Sequence, residues 1–567
     1  MFRPLVLPAL VAGFLLTPPP LPGQVPCLAP VDPYDSGGLL DPDEAAYNVG
    51  FYHLALRVEP GDSTIAGQME LHATIVSPAA VVALDLDTLL RIERVGLIGR
   101  DDPLPFARCG GRVRIELPGT LQPGAVLGLR VTYGGRPRVA PRPPWDGGFT
   151  WARTRSGQPW IVTSNQMLGA DVWWPVKDHV SDKPDSLAIT VTVPAGLVVA
   201  SNGRLRGVDY AAGGWRTWRW FVSTPISAYN VALNIAPYRT IDTTIASVAG
   251  DSIPVSFYVL PEDYDKGRVL FPDMLAHLSW YERRLGPYAF RADKYGVAQT
   301  PHLGMEHQSI IAYGANFNNG SMTGGRDWGF DALHHHELSH EWWGNLVTNA
   351  DWKDMWLHEG FGSYMQVLWM EDTQGAERAR EYLRGMLGGM GNRRPMAPRE
   401  VTSARAIYAG HDIYNKGAWV LHTLRWVVGD DAFFRSLRRM AYPDSALART
   451  TDGRAVRFAA TVDFQTIAEA ESGQSLGWFF EVYAHQAALP RLVQVESGDS
   501  LALRWESGLE APFPLAVEVS IGTELRRVEM PEGRATIRLP AGAEARIDPR
   551  GWLLRMRDQA TPPRTRR

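Results

Sequence analysis

The stretch HHHELSHEWWGNLVTNADWKDMWLHEGFGSY, residues 334–364, decides how the rest of the chain is read. His336 and His340 stand four apart, so on a helix both imidazoles leave one face a turn from each other and can share an ion. Glu337 sits beside them, able to reach water on that ion without being a ligand. Eighteen residues separate His340 from Glu359. Glu359 falls in a run (Trp356, Leu357, Phe361, Tyr364, Leu368) whose apolar positions recur every three or four residues, as on an amphipathic helix. Structural zinc sites usually close with four protein groups, whereas catalytic ones keep a position open for water. His336, His340 and Glu359 make three ligands, so the set reads as an open site for one Zn2+.

The surrounding chain has room for more than a catalytic core. At 567 residues it is long enough for three or four domains of ordinary size. Apolar residues make up 45% and charged residues 21%, as in ordinary globular proteins. A net charge of −4 with no Lys/Arg block argues against nucleic acid as a partner. At the N-terminus Arg3 precedes an apolar run from Leu5 to Leu16, followed by Pro18, Pro19, Pro20 and Pro22. The run is too short to span a bilayer and reads as a signal peptide over residues 1–26, which implies a secreted or periplasmic protein. No later stretch is long and apolar enough to form a stable membrane span. The two cysteines, Cys27 and Cys109, lack a CxxC partner and could pair with each other in an exported chain.

The fold class read from the pattern is multidomain α+β. Residues 38–257 carry repeated short strands, among them His53–Val58, Met69–Thr74, Arg112–Leu117 and Leu187–Val193, separated by turn clusters such as Pro60-Gly61-Asp62. They predict an antiparallel N-terminal β domain, sandwich-like or saddle-like. Its Pro- and Arg-rich segment, Gly135 to Pro144, reads as a solvated connection. Residues 258–488 are mostly helical: Leu275, Leu278, Tyr281 and Leu285 keep helical spacing until Gly286-Pro287 stops them, and 376–386, 418–428 and 432–440 are further segments. Alternation returns at Leu501–Trp505, Leu515–Val519 and Ala535–Leu539, predicting a small β-sandwich-like module over 489–556. The charged tail, 557–567, reads as disordered.

Four motifs in order and at matching spacing, GMEHQ (304–308), HELSHEWWGNLVT (336–348), WLHEGFGSY (356–364) and YNKGAWVLHTLR (414–425), resemble those of the zinc aminopeptidases related to aminopeptidase N and the leukotriene hydrolase. The resemblance covers most of the chain. It implies a β domain ahead of a thermolysin-like catalytic domain, and the hydrolysis of N-terminal peptide bonds in peptides with a free N-terminus. By resemblance, Glu337 is the general base, Tyr414 donates to the oxyanion, and Glu306 with Gln166 holds the substrate's α-ammonium, while the backbone of Gly304 and Met305 lines the peptide. His307 and His358 stand where the family usually has Asn, and Trp173 where relatives often have Arg. A zinc endopeptidase, an epoxide hydrolase and a non-enzymatic zinc-binding scaffold remain alternatives on the same ligands.

Neighbouring residues have plainer readings. His334 and His335 are expected on the helix surface or behind the ligands, and Asp327 and Asp331 as helix-start charges. Trp342, Trp343, Trp352 and Trp356 are expected in the core.

Overall fold

The computed structural model describes residue 32 and residues 34–556. The expected signal peptide, the Cys27 end of a Cys27–Cys109 pair and the tail from 557 lie outside the described residues. Among the described residues no helix is long and apolar enough to cross a membrane. The molecule is α+β, with several sheets and one mostly helical region.

The largest sheet has seven strands in the order 204–211, 215–222, 186–194, 47–59, 64–75, 126–135 and 90–97. Inward positions alternate as the sequence implies: Leu54, Leu56, Ile189 and Val191 are buried. Strand direction departs from the expectation. Tyr47–Glu59 is antiparallel to Thr64–Ile75 but parallel to Ser186–Pro194, pairing Leu54 with Ile189. This part of the chain is therefore built on a mixed sheet and not an antiparallel one. Alternation reports which face is buried and carries no information on direction; a parallel partner needs only a long connection, which residues 60–185 supply.

Two smaller sheets carry residues toward the centre. In a four-stranded sheet the hairpin Gly148–Arg153 and Pro159–Ser164 ends two residues before Gln166. A five-stranded sheet runs 239–246, 252–259, 295–299, 311–313 and 304–305. Its hydrogen bonding crosses position 257/258, where the sequence pattern turns from strand to helix, and its outer edge is the two-residue strand Gly304–Met305.

Four helices frame the centre: α1 (Tyr264–Leu285), α2 (Ala332–Ser339), α3 (Trp356–Gln374) and α4 (Asn415–Val428). Gly286 ends α1 at φ 115°, a conformation that costs glycine least. Helix α2 is capped by Asp331, whose carboxylate accepts from His334 N at 2.9 Å. All eight of its residues are buried, so it has no solvent face. The four tryptophans of the central stretch are buried as expected. Residues 491–547 form two antiparallel three-stranded sheets. They dock on α4 through Trp426 Nε1 donating to Ala516 O (2.8 Å), and beyond the last strand the Trp552 ring stacks on His422 at 4.8 Å.

Candidate active site

His336 and His340 leave one side of α2 and its C-terminal cap, and Glu359 enters from the first turn of α3. Two glycines bring the helices this close. A methyl group on Gly362 would lie 2.5 Å from Ser339 Oγ, and one on Gly360 would lie 2.8 Å from Gly417 Cα on α4. Helix α3 thus meets α2 at Gly362 and α4 at Gly360, where side chains would hold them apart.

The three candidate ligand atoms form a nearly equilateral triangle. His336 Nε2 lies 3.3 Å from His340 Nε2 and 3.3 Å from Glu359 Oε2, and His340 Nε2 lies 3.5 Å from Glu359 Oε2. Ligands about 2.1 Å from a tetrahedral zinc ion stand about 3.4 Å apart, so the triangle has the size such an ion requires. The outward nitrogen of His340, Nδ1, donates to Trp343 O at 2.9 Å, leaving the Nε2 lone pair for a metal. Glu359 divides its oxygens: Oε2 faces the histidines, while Oε1 accepts from Tyr408 OH (2.8 Å), Tyr414 OH (2.9 Å) and Gln166 Nε2 (3.2 Å). Burial works to raise the Glu359 pKa, but the hydrogen bond from His336, the charges of both histidines and Tyr408 outweigh it and hold it down at about 2. One carboxylate oxygen and two imidazole nitrogens facing one another are a donor set for a divalent cation.

Glu337 is on the same helix and buried. Burial first, then the nearby Glu306 and Glu359 charges, pushes its carboxyl well above the usual range. Its neighbour Gly304 has no room for a side chain: a methyl there would lie 2.6 Å from Glu337 Oε1 and 2.6 Å from Leu333 Cδ1. Glu306, Glu337 and His340 also come close enough to one another to share a cation.

The second acidic end of the pocket is Glu306, buried, with Oε1 accepting from Gln166 Nε2 (3.2 Å) and Tyr229 OH (3.4 Å). Its backbone carbonyl accepts from Asn345 Nδ2 at 3.2 Å. Just ahead of it, Gly304 and Met305 pair with Tyr313 and Ala312 on one side only, which leaves the other side of this edge strand for an extended peptide. Every candidate from the sequence, Gln166, Gly304, Glu306, His336, Glu337, His340, Glu359 and Tyr414, lines one pocket of about 160 Å³, apart from Met305, which is buried behind it.

Three features were not read from the sequence. Tyr408 and Tyr229 supply donors to the two central carboxylates, and nothing local distinguishes them from structural tyrosines. Pro144 and Trp145 line the pocket, so the end of the Pro/Arg segment is not a solvated connection but a wall of the site. His334 and His335 are not on a helix surface. His334 lies 2.9 Å from His277 Nδ1 through its Nδ1 and 2.5 Å from Tyr295 OH through its Nε2, and His335 Nδ1 meets Tyr281 OH at 3.1 Å. These contacts fasten the back of α2.

Residues 276–456, which hold the ligand triangle, match the peptidase family M1 domain. The human endoplasmic reticulum aminopeptidase 1 is 24% identical over 295 residues, 50% of this chain and 31% of the relative. Aminopeptidase N of Streptomyces lividans is 25% identical over 284 residues, 45% of this chain and 31% of the relative. The chain thus spans about a third of the length of these curated relatives. An M1 zinc metallopeptidase from Deinococcus radiodurans shares the fold at TM-score 0.63 and 23% identity, covering 78% of this chain and 94% of its own.

Proposed function

We propose that the protein is a zinc-dependent aminopeptidase that removes residues one at a time from the N-terminus of peptides. The observation that carries the reading is the pairing of an open three-ligand triangle with a second buried carboxylate, Glu306, in the same pocket. The triangle suits hydrolysis in general; Glu306 adds a reason to choose a free amine. A variant of the Deinococcus protein was solved with a Tyr-Ser-Ala substrate bound, which supports peptides as the substrate class.

His336, His340 and Glu359 would hold one Zn2+, which when bound supplies Lewis acidity and lowers the pKa of water. The remaining chemistry belongs to this chain. Glu337 takes the proton of the attacking water and returns it to the leaving amine. Tyr414 is kept a neutral donor, because burial and then the Glu359 charge push its phenol well above the usual range. Its single O–H, which donates to Glu359 Oε1 in this structure, can therefore turn to the carbonyl oxygen as negative charge builds. Glu306 receives the α-ammonium, with Gln166 and Tyr229 fixing the carboxylate by neutral donors. The edge of Gly304–Met305 aligns the peptide.

In the finer division, an N-terminal β domain precedes a thermolysin-like catalytic domain and a C-terminal β-sandwich-like module. The leader read in residues 1–26 supports a secreted or periplasmic location. The test is turnover of aminoacyl chromogenic amides by zinc-replete protein. Cleavage of free-amine substrates with refusal of their N-acetyl forms is expected; equal cleavage of acetylated peptides, or no cleavage with one zinc bound, overturns the reading.

A further inference from the structure

We propose that Trp145 is a specificity-determining residue: its indole closes the pocket for the substrate's first side chain and restricts it to small and medium apolar residues. This rests on the aminopeptidase reading and names the substrate class of that same site. With the ammonium on Glu306 and the carbonyl over the ligand triangle, the first Cα lies between them, and its side chain faces the wall that neither group uses. That wall is Pro144, Trp145, Leu303, Met322 and Leu333, all apolar. A lysine or arginine side chain finds no counter-charge there, since the carboxylates of the pocket already serve the amine and the metal.

Size follows from what lies behind Trp145. The pocket holds about 160 Å³, and a wider cleft of about 760 Å³ adjoins it, lined by Arg142, Trp145, Asp146, Met167 and Tyr408. Trp145 and Tyr414 line both spaces. Tyr414 faces the ligand triangle, so toward this wider cleft Trp145 is the partition that a longer side chain would have to displace.

The partition is held in register with the amine site. Arg142 and Asp146 bracket Trp145, joined by their side chains at 3.2 Å and by Asp146 N donating to Arg142 O at 3.0 Å. At the base of the loop Ala140 N donates to Phe149 O (2.9 Å) and Phe149 N to Arg138 O (2.7 Å). Gly147 packs so closely on the strand leading to Gln166 that a methyl group would lie 2.5 Å from Ser164 O. One hairpin therefore delivers both Trp145 and Gln166, which fixes the distance between the wall and the amine contact.

The test compares L-alanyl and L-phenylalanyl p-nitroanilides on zinc-replete wild type, Trp145→Ala and Trp145→Phe. Wild type should favour alanyl. In Trp145→Ala the phenylalanyl-to-alanyl ratio of kcat/KM should rise at least about tenfold, within the range that hydrophobic pocket walls discriminate, and the change should sit in KM. Trp145→Phe should fall between the two and keeps the test valid if the alanine variant folds poorly. Calorimetric binding of free L-alanine and L-phenylalanine to the zinc-loaded proteins reads the same selectivity without turnover. A wild type that cleaves both substrates while the ratio moves by less than about threefold in either variant overturns the role of Trp145 alone. A wild type that neither cleaves these substrates nor binds these amino acids overturns the aminopeptidase reading, and this inference with it.

Discussion

Replacing Glu306 by Gln removes one negative charge and almost no volume, which makes it the sharpest probe of amine recognition. The amide oxygen can still accept from Gln166 Nε2 and Tyr229 OH, now 3.2 and 3.4 Å from Oε1, so the side chain should stay in place. What disappears is the charge-assisted part of the bond to an α-ammonium in a buried pocket. Hydrogen bonds to charged groups contribute about 1.5–3 kcal/mol against about 1 for neutral ones, and burial favours the upper end. The difference, about 0.5–2 kcal/mol, corresponds to a fall of about 2- to 30-fold in kcat/KM for free-amine substrates. Glu306 is not part of the ligand triangle, so bound zinc should remain near one per chain. Steady-state kinetics on an aminoacyl amide, with metal content measured on the same samples, checks both. Unchanged kcat/KM with zinc retained would refute the assignment of Glu306 to the amine.

Glu337→Gln should keep zinc while turnover falls by about 10²–10⁴, the usual contribution of a positioned base; retained activity would remove Glu337 from that role. Gly360→Ala sets two effects against each other: alanine favours a helix by up to about 1 kcal/mol, but the new methyl would meet backbone atoms, Gly417 Cα at 2.8 Å and Ile413 O at 3.0 Å. Overpacking of about 1–3 kcal/mol should win, lowering the urea midpoint and weakening zinc retention as α4 and Tyr414 are pushed from Glu359. Asp178 is raised from 3.8 to about 6, by burial against the opposing hydrogen bonds of Ser36 and Ala170 N. Between pH 4 and 6 the folded protein therefore binds a proton that the unfolded chain does not, so this group makes stability fall as pH rises through that window. Asp178→Asn should remove that slope, and its stability relative to wild type should improve by up to about 3 kcal/mol from pH 4 to pH 7, read by urea unfolding at the two pH values.

What could be read before the structure follows from which constraints are local. His336 and His340 are a turn apart by covalent geometry alone, and Glu359 lies in a strongly periodic run, so their convergence needed only two helices to meet. The means of that meeting was hidden. Gly360 and Gly362 look like weak points in a helix, yet they are where α3 contacts α4 and α2. Tyr408 and Tyr229 reach the site through tertiary packing, which leaves no periodic mark. Of the two placements expected for His334 and His335, the helix surface fails, because His277, Tyr295 and Tyr281 meet their ring nitrogens in the interior. Pro and Arg made residues 135–144 look like a surface connection; the composition was that of a loop, but the loop folds back onto the pocket at Pro144 and Trp145. The mixed sheet escaped for a different reason, since alternation is the same in parallel and antiparallel neighbours.

The most direct measurement is a zinc titration of metal-free protein with a short free-amine peptide present, its products followed by mass spectrometry. Stepwise loss of single residues from the N-terminus, rising with zinc and saturating at one ion per chain, is the expected result. Internal cleavage, or hydrolysis indifferent to zinc, would contradict it.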